Sequence, residues 1–191
     1  MSGARLIEAS HLGAVRGERI LYTDVGLDVS AGEIILLRGP NGSGKTTLLR
    51  QLAGLSEPQA GRVQRFGDHH WIGHTNGLKP HETPRSHLHH WTKVWGGTSE
   101  IDPVLRRMGL GRPADVPTRM LSAGQKRRSA LGRLLLVNRP VWLLDEPFNA
   151  LDADGQALLG EMILAHCAEG GAVIAALHGH APIEATRELH L

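Results

Sequence analysis

Short apolar runs separated by polar, helix-patterned stretches set the plan of this chain. Three runs are continuous rather than alternating: Ile34-Ile-Leu-Leu37, Val141-Trp-Leu-Leu144 and Ala172-Val-Ile-Ala-Ala176. Continuous apolar character over so few residues predicts strands covered on both faces, as in a parallel sheet flanked by helices. The first run leads into a helix pattern with Leu48, Leu52 and Leu55 on one face. A second helix is expected from Ser122 to about Val137, with Leu131, Leu134 and Leu135 as its apolar stripe. Ser122 and Gln125 have the spacing of a reciprocal cap and mark its start. The early segment, Leu6 to Val29, reads as a few short antiparallel strands. Between the halves, Asp68 to Pro117 is less regular and rich in His, Trp, Gly and Pro. The expectation is a single α/β domain over 1–191, with its core at about 1–67 and 118–191 and a small, mostly helical subdomain inserted at about 68–117.

Composition narrows the classes without choosing among them. The 191 residues are 41% hydrophobic and 21% charged, with a net charge of +2 and one cysteine. A charge this small, with its Arg residues scattered, does not point to nucleic acid. One cysteine excludes an internal disulfide, and Cys167 reads as a small buried apolar residue. No segment approaches the roughly 20 apolar residues that span a bilayer, and Met1 to Ser10 lacks the apolar core of a leader. Work at a membrane would require a partner that supplies the spanning helices.

The chemistry begins with GPNGSGKT, Gly39 to Thr46, which fits the phosphate-loop pattern with a buried strand before it and a helix after it. Its glycines let backbone N–H groups curl toward phosphate oxygens, and the helix that follows turns its positive end to the same anion. Gly39, Pro40, Asn41, Gly42, Ser43, Gly44, Lys45, Thr46 and Thr47 are the candidate nucleotide contacts. Lys45 is placed to neutralise the β- and γ-phosphates, and Thr46 to offer its hydroxyl to Mg²⁺. Asp145 and Glu146 close the second apolar run, at the carboxyl edge where ligands bind in such sheets. Asp145 is the second candidate for Mg²⁺, and Glu146 is the candidate base that polarises the attacking water. His178 follows the third run at the same edge. Taken alone, it reads either as a surface residue or as a contact to the γ-phosphate and that water.

The run Leu121-Ser-Ala-Gly-Gln125 resembles the signature motif of ABC ATPases, Asn149-Ala-Leu-Asp152 resembles their D-loop, and His178 their switch histidine. The resemblance extends from about Leu6 to His178. It implies two copies paired head to tail, each ATP held between the phosphate loop of one and Ser122, Gly124 and Gln125 of the other, with Asp152 nearby. A narrower resemblance rests on Arg16-Gly-Glu-Arg19, Ala53-Gly-Leu55 with Ala60-Gly61, Trp71-Ile-Gly-His74, Leu121 to Arg128 and Asp145-Glu-Pro-Phe148. These are similar to the haem exporter ATP-binding subunits of cytochrome c maturation. That likeness implies a peripheral place on the cytoplasmic face of the bacterial inner membrane and integral-membrane partners of the CcmB and CcmC kind. It also implies ATP hydrolysis coupled to haem export or to release of a haem-loaded chaperone.

Four features depart from the pattern or exceed it. Thr75 stands where the family carries a glutamine between core and helical subdomain. Arg16 stands near the position of the aromatic ring that stacks on adenine, with Tyr22 as its rival. Histidines cluster at His69, His70, His74, His81, His87, His89 and His90, and read as a polar, solvated surface. Trp91 and Trp95 share one helical face and read as subdomain core or a membrane-partner contact. Three other readings stay open: an ABC ATPase energising a different transporter; a soluble ABC ATPase outside transport, against which stand the single cassette and the lack of a coiled-coil insertion; and a nucleotide-binding regulator that does not hydrolyse ATP.

Overall fold

The computed structural model describes residues 3–179 and 182–191, so that Met1 and Ser2, the first residues of the segment read as lacking a leader pattern, lie outside the described residues. In chain order the elements are β1 (Arg5–Arg16), β2 (Arg19–Ser30), β3 (Ile34–Arg38), α1 (Lys45–Leu52), β4 (Ala60–Arg65), β5 (His69–Ile72), α2 (Pro84–Val94), α3 (Ile101–Arg107), α4 (Ala123–Leu131), β6 (Val141–Asp145), α5 (Ala153–Ala168), β7 (Ala172–Ala176) and β8 (Arg187–His190). The strands form a three-stranded sheet in the order β2-β1-β4 and a five-stranded sheet in the order β5-β6-β7-β3-β8. Among the described residues no helix is long and apolar enough to cross a membrane.

The chain divides into two compact units. The first comprises Met1–Trp71, Arg139–Glu146 and Met162–Leu191. All three continuous apolar runs fall in its parallel core, where β6 pairs with β7 and β7 with β3. Every residue of β6 and β7 is buried, as is β3 up to Leu37, which is why their sequences lack alternation. The N-terminal strands are antiparallel as expected but long rather than short: β1 and β2 have 12 residues each. Register shifts between Ala9 and Leu12 and between Leu12 and Ala14 break the period-two pattern, and His11 and Asp24 take left-handed backbone.

The core of this unit draws Ile7, Leu12 and Val29 from the antiparallel sheet, Ile35, Leu37, Leu143 and Ile174 from the parallel one, and Leu48, Leu49 and Leu52 from α1. Full burial of such side chains contributes about 1.5–3 kcal/mol each. The expected stripe on α1 needs one correction. Leu48 and Leu52 are fully buried, but α1 ends at Leu52 and Leu55 lies beyond it, 51% exposed. Cys167 is buried as expected, its Sγ facing the Glu33 carbonyl at 3.5 Å, and burial pushes the thiol up to about 11. Such a thiol stays protonated and unreactive at neutral pH.

The second unit comprises Ile72–Asn138 and Pro147–Glu161. Leu88, Ile101, Leu105, Met108, Leu131 and Leu134 are among its buried apolar side chains. Thr83 caps α2 by accepting a hydrogen bond from the Ser86 N–H, with Ser86 returning the cap. The helix expected from Ser122 to Val137 is α4 followed by a tight 3₁₀ turn over Gly132–Leu135. Glycine is a poor helix former, and the missing side chain at Gly132 lets α2 approach, since a Cβ there would meet the Leu88 methyl at 3.2 Å. The altered winding buries Leu136 in place of the expected Leu135. The histidine cluster is also not uniformly solvated: His70, in the first unit, and His87, in the second, are each only 1% exposed. The Trp91 and Trp95 rings lie 4.8 Å apart with their planes tilted by 37°, and the Arg133 guanidinium is 5.0 Å from the Trp91 ring centre.

Candidate nucleotide site

The phosphate loop joins β3 to α1 in the first unit. Gly44, the residue before α1, has φ 110, and a side chain there would run into the Tyr22 ring at 2.8 Å. Only glycine satisfies both demands. With no side chain capping α1, the N–H groups of its first turn stay available to an anion. The Lys45 ammonium donates to the carbonyls of Gly39 at 2.7 Å and Pro40 at 2.9 Å, so it curls over the loop. Burial lowers its proton affinity, while Glu146 and Asp145 work in the opposite direction. Among the described residues the buried Ser43 hydroxyl has no hydrogen-bond partner, as suits a donor aimed at a phosphate oxygen. Thr46 and Thr47 are half-buried, and Asn41 and Gly42 are exposed.

Asp145 is the last residue of β6 and is 1% exposed. Both of its carboxylate oxygens accept from the Thr46 hydroxyl, at 3.1 and 3.0 Å. A hydroxyl and a carboxylate brought together beside a phosphate cradle are the hard oxygen donors that suit Mg²⁺. Glu146 follows with φ 50, a left-handed backbone uncommon outside glycine, and its N–H donates to the Ala176 carbonyl at 2.9 Å. This turn swings the carboxylate off the line of the strand. Its Oε1 lies 3.3 Å from the His178 Nε2, and both side chains remain partly open to solvent. One sheet edge thus gathers Lys45, Thr46, Asp145, Glu146 and His178. The arrangement can bind a triphosphate with its metal and orient a water beside the terminal phosphate.

The second unit carries a second constellation. The Ser122 hydroxyl accepts from the Gln125 N–H at 3.1 Å, and the Gln125 side-chain oxygen accepts from the Ser122 N–H at 3.0 Å. This is the reciprocal cap expected from their spacing. Gly124 faces the Ala150 carbonyl, which a side chain would meet at 3.0 Å. Asp152 accepts from the Gly155 N–H at 3.0 Å and from the Arg128 guanidinium. The hydrogen bond from Arg128 is the main reason its carboxyl lies below the usual carboxylate range. These residues line an open recess of about 400 Å³. Arg128 was missed as a contributor, because its partner is set by the return of a distant loop rather than by local spacing.

Two residues considered for the base take different places. Tyr22 is excluded as a stacking ring: it is buried, and its hydroxyl donates to the Gln51 side chain at 2.8 Å. Gln51 in turn donates to the Gly13 carbonyl at 3.2 Å, so Tyr22 belongs to the packing behind the loop. Arg16 is exposed at the end of β1, next to the β1–β2 turn. Thr75 is exposed in another recess of the second unit, with Asn76, Pro80 and Lys126.

A nucleotide-binding cassette, with its phosphate loop, strand-end carboxylates and signature helix, is the class of protein that these features define. The family model described as ABC transporter matches residues 22–149, most of the chain, and the chain belongs to that family. Among solved structures it is similar to the ATP-binding subunit of an ABC transporter, with a TM-score of 0.81 and 26% identity over 91% of this chain and 79% of that one. At 21% identity, the ATP-binding cassette MJ1267 in its ADP conformation shares the fold, with a TM-score of 0.73 over 92% of this chain and 82% of that one. The narrower group is shown by full-length relatives. The cytochrome c biogenesis ATP-binding export protein CcmA of Hyphomonas neptunium is 53% identical over 191 residues, 100% of this chain and 99% of that protein. The protein of the same name from Maricaulis maris is 45% identical over 183 residues, 90% of this chain and 85% of that one. The chain is a member of this group of ABC transporter ATP-binding subunits.

Proposed function

We propose that this chain, as one ABC ATPase domain over its 191 residues, is the ATP-hydrolysing subunit of a membrane export complex serving c-type cytochrome biogenesis. The observation that carries the reading is the meeting of Thr46, on the phosphate-loop helix, with Asp145, at 3.0–3.1 Å, beside Glu146 and His178. In this reading the loop amides and Lys45 hold the β- and γ-phosphates, and Thr46 and Asp145 hold Mg²⁺, which supplies charge neutralisation on the phosphates. Glu146 accepts a proton from the attacking water, and His178 contacts both that water and the γ-phosphate.

Two copies pair on binding ATP, the signature helix of one capping the nucleotide held by the other. Ser122, Gly124 and Gln125 then face the γ-phosphate, and Asp152 lines the same seam. ATP stabilises the pair, and conversion to ADP and phosphate loosens it. The opening and closing drives integral-membrane subunits of the CcmB and CcmC kind, with this chain held peripherally on the cytoplasmic face of the inner membrane. The names of the CcmA relatives, 53% and 45% identical, support the link to cytochrome c biogenesis. Within that process the cargo proposed is haem, exported directly or passed on as a haem-loaded chaperone.

Glu146→Gln tests the chemistry. It should lower hydrolysis by about 10²-fold or more while leaving ATP binding intact, because it removes only the proton acceptor. Hydrolysis at the parental rate would show that Glu146 is not the base.

A further inference from the structure

Arg38 is the last residue of β3 and directly precedes Gly39 of the phosphate loop. Its guanidinium reaches away from the loop and fastens two other segments of the first unit. Nη1 donates to the Gly179 carbonyl at 2.5 Å, while Nε and Nη2 donate to the Glu188 carboxylate on β8 at 3.1 and 3.0 Å. Gly179 follows His178 and has φ 68, so the backbone turns sharply just past the imidazole. On the other side of His178, the Leu177 N–H donates to the Leu37 carbonyl at 3.2 Å. Both neighbours of His178 are therefore tied to consecutive residues of β3, the two that lead into the phosphate loop. β8 reinforces the tie, pairing His190 with Arg38, and the Leu191 N–H donates to the Arg38 carbonyl at 3.0 Å.

We infer that Arg38 is a positioning residue for ATP hydrolysis, acting through the Gly179 carbonyl to hold His178 in register with Glu146 and the phosphate loop. The inference rests on the proposed role of His178. A guanidinium suits this task because it stays charged and presents several donors in a rigid fork, and charge-assisted bonds resist thermal loosening. Without it, the Gly179 carbonyl loses this donor, and the tie to β3 ends before His178, at the β3–β7 ladder and the Leu177 N–H. Displacement of a reacting group by about 1 Å can lower turnover by up to ~10²-fold.

The test compares Arg38→Ala, Arg38→Lys and His178→Ala, singly and with Arg38→Ala and His178→Ala combined, in the full chain and in complex with its membrane partners. Arg38→Ala should lower kcat by about tenfold with KM within about threefold, the pattern of a lost transition-state arrangement rather than lost binding. Arg38→Lys, which keeps the positive charge and one donating nitrogen, should recover most of that loss and should shift the His178 imidazole resonances in NMR spectra. In the His178→Ala background, Arg38→Ala should have no further effect on kcat, since the two act as one unit. An equal fold-loss in both backgrounds, or a loss confined to KM or to the melting temperature, would overturn the inference. If His178→Ala lowers kcat and Arg38→Ala does not, the inference alone falls. If His178→Ala leaves kcat unchanged, the reading of His178 falls and takes the inference with it.

Discussion

Two helix N-termini in this molecule are finished in opposite ways. In the first unit, α1 follows Gly44, which offers no side-chain cap, so the amides of its first turn and the Ser43 hydroxyl stay free for an anion. In the second unit, α4 follows Ser122, whose hydroxyl already holds the Gln125 N–H while Gln125 holds the Ser122 N–H in return. The first end offers its donors to an anion without giving up a side-chain cap. The second spends the Ser122 and Gln125 N–H groups on its own cap and keeps the Ser122 O–H as a donor. In the proposed reading the two ends act in order: nucleotide goes to the phosphate loop first, and the signature helix enters when a loaded loop of another copy is brought to it.

The largest expected effect comes from removing the loop's fixed charge. Lys45→Ala should weaken ATP binding by about 10²-fold or more, because the side chain proposed to neutralise the β- and γ-phosphates is gone. Titration of the variant with ATP checks this, and binding at the parental affinity would mean that the backbone cradle suffices. Next in size is Ser122→Ala. It should leave the affinity of a single copy for ATP unchanged but lower cooperative turnover by about tenfold, with about 1 kcal/mol of stability lost along with the cap. ATP titration at low protein concentration, set beside turnover at high concentration, separates the two effects. If Ser122→Ala weakened binding by a lone copy, the proposed order of events would be wrong.

The smallest effect concerns acid. His87 is buried in the second unit, with Glu82 at 3.1 Å and with Arg133 and His90 nearby. Burial, then Arg133, lowers its pKa from 6.5 to about 4, with Glu82 opposing. Between those values the unfolded chain binds the proton and the folded chain does not. Stability should therefore be full above pH 6.5 and should fall as pH drops toward about 4. Melting temperatures across that range should decline more steeply for the parent than for His87→Gln. Equal slopes would mean that His87 does not contribute.

The parts of this account legible in the sequence are those that local physics determines. Ile34–Leu37, Val141–Leu144 and Ala172–Ala176 are strands covered on both faces, so their unbroken apolar character was sufficient. The Ser122–Gln125 cap needs only a fixed spacing, and it is present. What stayed hidden depends on segments far apart in the chain. Tyr22 looked available to stack on a base until Gln51, 29 residues away, claimed its hydroxyl. The pairing of Arg128 with Asp152 depends on a returning loop. His70 and His87 look like their exposed neighbours in composition, and only the packing around them turns them inward. The strands β1 and β2 were read as short because bulges interrupt their alternation, and a bulge resets the period without ending the strand.

The central claim, that one copy cradles the triphosphate while another caps it, is tested most directly by joining the two ends covalently. Cysteines placed at Ser43 and Ser122, in a chain with Cys167 replaced by Ser and Glu146 by Gln, should crosslink between two molecules when MgATP is present and much less in its absence. A crosslinked dimer whose yield ignores nucleotide, or a link formed only within one chain, would contradict the account.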